Sequence, residues 1–158
     1  MEYQKLASLY ASLEATSKRL RKTKLLADFL SGVPAAELGR VLLLLQGRVF
    51  PLWDKRVLGL SEKLLVKAIS AASGASGQWV MDAWREQGDI GEVAESLVGK
   101  KSQATLLHEE LTVKQVFENL QKVAAVAGKG AMDAKVKLVA QLLSSAKGVE
   151  ARYVVRSV

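Results

Sequence analysis

Cysteine is missing altogether from this sequence, so neither a disulfide nor a thiolate metal site is open to it. His108 is the single histidine. That count rules out a multi-histidine metal centre and a Cys-His pair, and a Ser-His-Asp triad would hang on one residue in a polar loop. A phosphate-binding P-loop, a dinucleotide glycine fingerprint and a nucleophile elbow are all missing too. The longest apolar run, "VLLLL" at 41–45, is far short of the about 20 residues that cross a bilayer. "MEYQKLASLY" is not a signal-peptide start, so the expectation is a cytoplasmic protein with no membrane partner. Only two prolines interrupt a chain that is 49% hydrophobic, which predicts a folded rather than a disordered polypeptide. Strand-like alternation is also lacking, and what replaces it throughout is the 3–4 residue spacing of helices.

That spacing predicts one all-α domain over residues 1–158. Helices are expected at 3–14, 18–30, 35–46, 61–72, 78–87, 90–98, 113–127, 131–146 and from 149 to the end. Asp89 with Glu92, and Thr112 with Gln115, have the spacing of reciprocal capping boxes. Pro34 suits a first helical turn. Val116, Leu120, Val123, Ala124 and Ala127 form one apolar stripe, and Val136, Val139, Ala140 and Leu143 the next; both are expected to be core. The last stripe, through Ala151, Val154, Val155 and Val158, stops without a helix-closing residue. It therefore reads as a domain truncated at its C-terminal end.

The formal charge is +7, which favours an anionic partner. "TSKRLRKTK" at 16–24 holds five cations and no acid, whereas Asp82 to Glu95 holds five acids against Arg85. A basic surface and a separate acidic one follow. The bland account of such runs is a solvated face. Between two periodic segments lies "VAGKGAMDAK", 126–135, with Lys129 held between Gly128 and Gly130. Glycines there can be simple punctuation. The same geometry, a helix start with unpaired N–H groups, a positive dipole end and a nearby lysine, is an anion site. "KGVEAR" at 147–152 echoes it.

No chemistry of catalysis is evident. Glu92, Glu95, Glu109 and Glu110 sit in polar stretches that would not raise a carboxyl pKa. Trp53, Trp79 and Trp84 invite base stacking, but "VFPLWD" and "WVMDAW" are apolar neighbourhoods, so these side chains are expected in the core or wedged between helices.

Across "GRVFPLWDKRVLGLSEKLLVKAI" at 47–69 the sequence resembles the N-terminal DNA-binding domain of archaeal ATP-dependent DNA ligases. The likeness continues in "YQKLASLYASLEATSKRLRKTKLLADFL", "GDIGEVAE", "LTVKQVFENLQKVAAVAGKGAMDAKVKLVAQLL" and "EARYVVRSV", in order and over nearly the whole chain. The resemblance implies an all-helical, monomeric module that binds nicked double-stranded DNA without sequence preference, through phosphates and the minor groove. It would position the break for sealing in DNA replication, repair and recombination. In that family sealing belongs to a nucleotidyltransferase domain, whose Lys-x-Asp-Gly motif uses ATP and Mg2+, and to an OB-fold domain. Neither domain nor motif occurs in these residues, so this chain by itself is expected to be inactive and to carry no cofactor. The family domain normally continues beyond the residue matching Val158.

Carried over residue by residue, the resemblance puts Thr23, Lys24, Gly128, Lys129, Gly130, Lys135, Lys147, Gly148, Arg152 and Arg156 near DNA. Six neutralised phosphates would cost roughly a thousandfold in affinity between low and moderate salt. In "KKSQATLLHEE" the resemblance places a sliding-clamp (PCNA) motif at Gln103, Leu106 and Leu107, with leucines where aromatic residues are common; a loop anchor is the alternative use of those leucines. The competing functional class is a helical protein-interaction adaptor that docks a sliding clamp, with the basic face only a solvated surface. A lysine-based DNA glycosylase is a third, for which no buried Lys and Asp pair can be nominated.

Overall fold

Helical spacing becomes helix along most of the described residues. The computed structural model describes residues 1–102 and 110–158. Its elements are α1 (Tyr3–Glu14), α2 (Arg19–Ser31), α3 (Ala35–Leu45), α4 (Glu62–Ser73), α5 (Gly77–Gln87), α6 (Ile90–Ser102), α7 (Val113–Ala125), α8 (Ala131–Ser144) and α9 (Gly148–Arg156). No strand occurs among the described residues. One isolated antiparallel bridge joins Glu2 to Thr112, where Tyr3 N–H donates to Leu111 O at 2.7 Å and Val113 N–H to Met1 O at 2.9 Å.

The local signals act largely as their chemistry dictates. Thr112 caps α7: Gln115 N–H donates to its hydroxyl at 3.2 Å, and Thr112 N–H donates to Gln115 Oε1 at 2.8 Å. Asp89 Oδ1 accepts from the amides of Gly91 and Glu92 at the start of α6. Several boundaries differ from expectation; α7 and α8 each end two residues early. α6 runs on to Ser102, and α9 stops at Arg156, where the Ser157 hydroxyl donates to Tyr153 O at 2.7 Å. The α7 stripe is buried at Val116, Leu120 and Val123, but Ala127 is exposed, because the helix has ended and Val126 is extended.

The core is built from the inward faces of α1 and of α3 through α9. α9 packs along α6 and touches α1 and α8; α8 lies on α4 and α7; α2 is attached to α1. Burial of apolar area supplies the main driving force. α6 and α9 come unusually close. A β-carbon on Gly148 would sit 3.2 Å from Glu95 O and 3.5 Å from Gly99 Cα, and one on Gly91 would sit 3.1 Å from Arg152 O.

Polar side chains finish the seam. Arg156 Nη1 donates to Glu14 Oε2 at 2.8 Å and its Nη2 to Asp89 Oδ2 at 2.6 Å. Arg152 pairs with Glu95, and the Tyr153 hydroxyl donates to Glu14 Oε2 at 2.7 Å. The Arg156 and Tyr153 hydrogen bonds hold the Glu14 carboxyl below its ordinary pKa. At Asp89 burial acts to raise the pKa, but the bond from Arg156 and those from the Glu92 and Gly91 amides outweigh it and lower it. Glu150, 2% exposed, accepts from Lys147 N–H at 2.6 Å and so closes the start of α9.

Two outcomes follow. Gly91→Val should lower stability by about 1–3 kcal/mol through overpacking, read as a lower Tm in calorimetry; an unchanged Tm would mean that α6 and α9 do not meet as described. Because the Glu14 and Asp89 pKa values are depressed, their contribution is present above the ordinary carboxylate range and lost as pH falls through the folded values. Denaturant titrations below about pH 5 should show stability dropping, and the drop should be shallower in a Glu14→Gln, Asp89→Asn double variant.

Candidate nucleic-acid interface

The turn between α7 and α8 owes its shape to two left-handed glycines, Gly128 at φ 85° and Gly130 at φ 81°. A β-carbon on either would meet nothing within 4 Å. The requirement for glycine is therefore conformational, since other residues rarely adopt such φ values. Gly130 is the N-cap of α8 and offers no side chain to cap it. Ala131 N–H donates to Gly128 O at 3.2 Å. That leaves the amides of Met132 and Asp133, which no carbonyl of the helix can reach. Lys129 is exposed between the glycines. Asp133, in the same first turn, opposes an incoming anion and makes the surrounding lysines necessary to the balance.

Those lysines come partly from another helix. α4 lies beside α8, and a groove of about 480 Å³ is lined by Gly59, Ser61, Lys63, Lys67, Met132 and Lys135. Lys63 and Lys67 were not singled out from the sequence. Their signal is positional: in "EKLLVKAI" the buried Leu64, Ala68 and Ile69 leave Lys63 and Lys67, four apart, on the solvent side. Met132, 68% exposed, puts an apolar surface among the cations.

The residues expected at this surface divide into groups. Gly128, Lys129 and Gly130 form the open turn just described. Lys135 is committed to the protein, its Nζ donating to Leu58 O at 2.7 Å. Lys147 is exposed and lies 3.8 Å from Glu110. Gly148 is the close-packing point against α6, and Arg152 and Arg156 are strut residues held by Glu95, Glu14 and Asp89. So the two Lys-Gly helix starts, alike in sequence, differ physically: α8 begins open and uncapped, whereas the start of α9 is occupied by the Glu150 carboxylate. Thr23 and Lys24 are exposed on α2, with the Thr23 hydroxyl donating to Arg19 O at 3.1 Å. α2 has no acid in its first turn, though the helix dipole would favour one. A cationic first turn costs stability and favours an anion supplied from outside.

Gln103, Leu106 and Leu107 lie outside the described residues. The expectation for tryptophan is corrected: Trp53 is 84% exposed and Trp79 47% exposed, while Trp84 packs partly against the core. The stretch 46–61 has no helical period, so its apolar residues need not turn inward together. Among the described residues no group of acidic or histidine side chains converges to hold a metal ion, and no helix is long and apolar enough to cross a membrane.

The sequence comparisons agree with the helical fold. The family model described as DNA ligase N terminus matches residues 2–158. The chain is 44% identical over 156 residues to a DNA ligase of Methanothermobacter thermautotrophicus, covering 99% of this chain and 28% of that protein. It is 42% identical over 158 residues to the DNA ligase of Thermococcus fumicolans, covering 100% of this chain and 28% of that one. With the DNA ligase of Nanoarchaeum equitans it shares 42% identity over 156 residues, 99% of this chain and 27% of the relative. The chain thus spans less than a third of the length of the curated relatives it matches. An all-helical chain matched from residue 2 to its last residue, and at this identity across several archaeal relatives, belongs to the DNA ligase N-terminus family.

Proposed function

We propose that this chain grips nicked double-stranded DNA through its phosphates and minor groove and presents the break to the sealing machinery of an ATP-dependent ligase, in replication, repair and recombination. The observation that carries this reading is the uncapped start of α8. Free helix-start amides and a positive dipole end lie beside the groove lined by Lys63 and Lys67, with Lys129 exposed on the turn before it, and among the described residues no ion pair from a neighbouring helix closes it. Backbone amides and lysines suit phosphate, which is the same at every step of a duplex, so binding is indifferent to sequence. Thr23, Lys24 and Lys147 extend the contact. Lys135, Gly148, Arg152 and Arg156 support it by holding the 46–61 loop and α9 in place.

The adaptor reading draws on the acidic 82–95 stretch, but Asp89 and Glu95 are consumed by Arg156 and Arg152. A sliding-clamp tether through Gln103, Leu106 and Leu107 is compatible with DNA binding and is proposed from the sequence alone.

Fluorescence anisotropy of a labelled nicked duplex should show micromolar binding at low salt, with log K falling against log salt at a slope of about −5 if six phosphates are neutralised. Lys129→Glu should weaken binding about tenfold by charge reversal at a phosphate and leave the Tm nearly unchanged, as exposed substitutions do. Gly130→Val should lower both affinity and Tm, because φ near 81° strains a β-branched residue. Wild-type affinity in Lys129→Glu and in Lys63→Ala, Lys67→Ala would remove the α8 start from the interface.

A further inference from the structure

The 46–61 loop exposes apolar surface on a rigid mount. Asp54 N–H donates to Pro51 O at 3.0 Å, closing a turn whose two central residues are Leu52 and Trp53. Leu52 is 72% exposed, Trp53 84% and Val57 73%. Both ends of the loop are pinned: Gln121 Nε2 donates to Val49 O at 3.0 Å and Lys135 Nζ to Leu58 O. Inside it, Arg56 forks onto Asp54 and lies 3.9 Å above the Phe50 ring. An indole at the tip of a hydrogen-bonded turn, with its base tied to two helices, is presented rather than loosely packed. Exposed apolar residues clustered this way mark a contact surface.

Charge chooses the partner. The loop's one acid, Asp54, is already neutralised by Arg56. Arg48 and Lys55 are exposed and have no carboxylate partner among the described residues. The loop is also continuous with the cationic groove, since Gly59 lines that groove and Lys135 joins the two. We propose that the 51–57 turn is a second DNA contact, with Trp53 and Leu52 against the deoxyribose and base surface of the duplex and Arg48 and Lys55 on flanking phosphates. The apolar faces of sugars and bases accept an aromatic ring irrespective of sequence, and stacking on such a ring contributes substantially to nucleic-acid affinity. This inference rests on the DNA-binding reading above and extends it from phosphates to the apolar part of the duplex.

The test uses the chain with Trp79→Phe and Trp84→Phe, which leaves Trp53 as the sole fluorophore of its kind, titrated with nicked duplex and followed by emission, acrylamide quenching and anisotropy together. Binding should quench Trp53 and shield it from acrylamide. Trp53→Ala should weaken affinity about five- to tenfold, within the range for loss of one stacked ring, and Trp53→Phe should restore most of it. Lys55→Ala should make the salt slope shallower by about one, as for one phosphate. If anisotropy reports binding while Trp53 emission and shielding stay unchanged and Trp53→Ala binds like its parent, this contact is refuted although the DNA reading stands, and the turn is left as a protein-docking face. If the parent does not bind duplex even at low salt, both fall.

Discussion

The fold depends on how close α9 can come to α6. Glycine at 91, 99 and 148 removes the side chains that would hold the two helices apart, so backbone faces backbone along part of the seam. Once the helices touch there, Ala151, Val154 and Val155 enter the core, and the outward edge of α9 is left with Arg152 and Arg156 facing the acids of α1 and α6. The arginines are planar and forked, so one side chain can bridge two carboxylates, as Arg156 does between Glu14 of α1 and Asp89 just before α6. Lysine would not reproduce that geometry.

This arrangement separates charges that composition merges. A count of cations in the C-terminal third treats Lys129, Lys147, Arg152 and Arg156 alike. In three dimensions the arginines are paired with carboxylates of the same molecule, whereas Lys129 stands on an open turn with two positive-φ glycines. Lys63 and Lys67 of α4 lie exposed beside the uncapped start of α8, and α2 contributes a separate cationic helix.

What the sequence made legible is local. The period of Val116, Leu120 and Val123 sets a helix and its buried face, and Thr112 with Gln115 sets where it starts, because each depends on neighbours a few residues away. The glycine pair at 128 and 130 was legible for the same reason. What was not legible is the pairing of Arg156 with Asp89, 67 residues distant, or of Lys135 with Leu58, 77 residues distant. Trp53 was misjudged for a related reason. Apolar neighbours suggest burial only when a regular period aligns them, and the 46–61 stretch has none, so a tight turn could send Trp53 outward while Phe50 went in. Gly148 has a packing role against α6 that its likeness to the Gly130 motif did not show.

The bonds from Tyr153 and Arg156 to Glu14 join groups 139 and 142 residues apart. Most helices here contact a near neighbour in sequence and can gather early, whereas α1 must wait for α9 before its carboxylate and its Tyr10 ring, 5.0 Å from that of Tyr153, find their partners. Closing so long a loop carries an entropic cost that only the completed core repays. On the ribosome, where the chain emerges from its N-terminus, α1 would spend most of synthesis without its α9 partner, an interval in which a nascent helix is a natural client for chaperones.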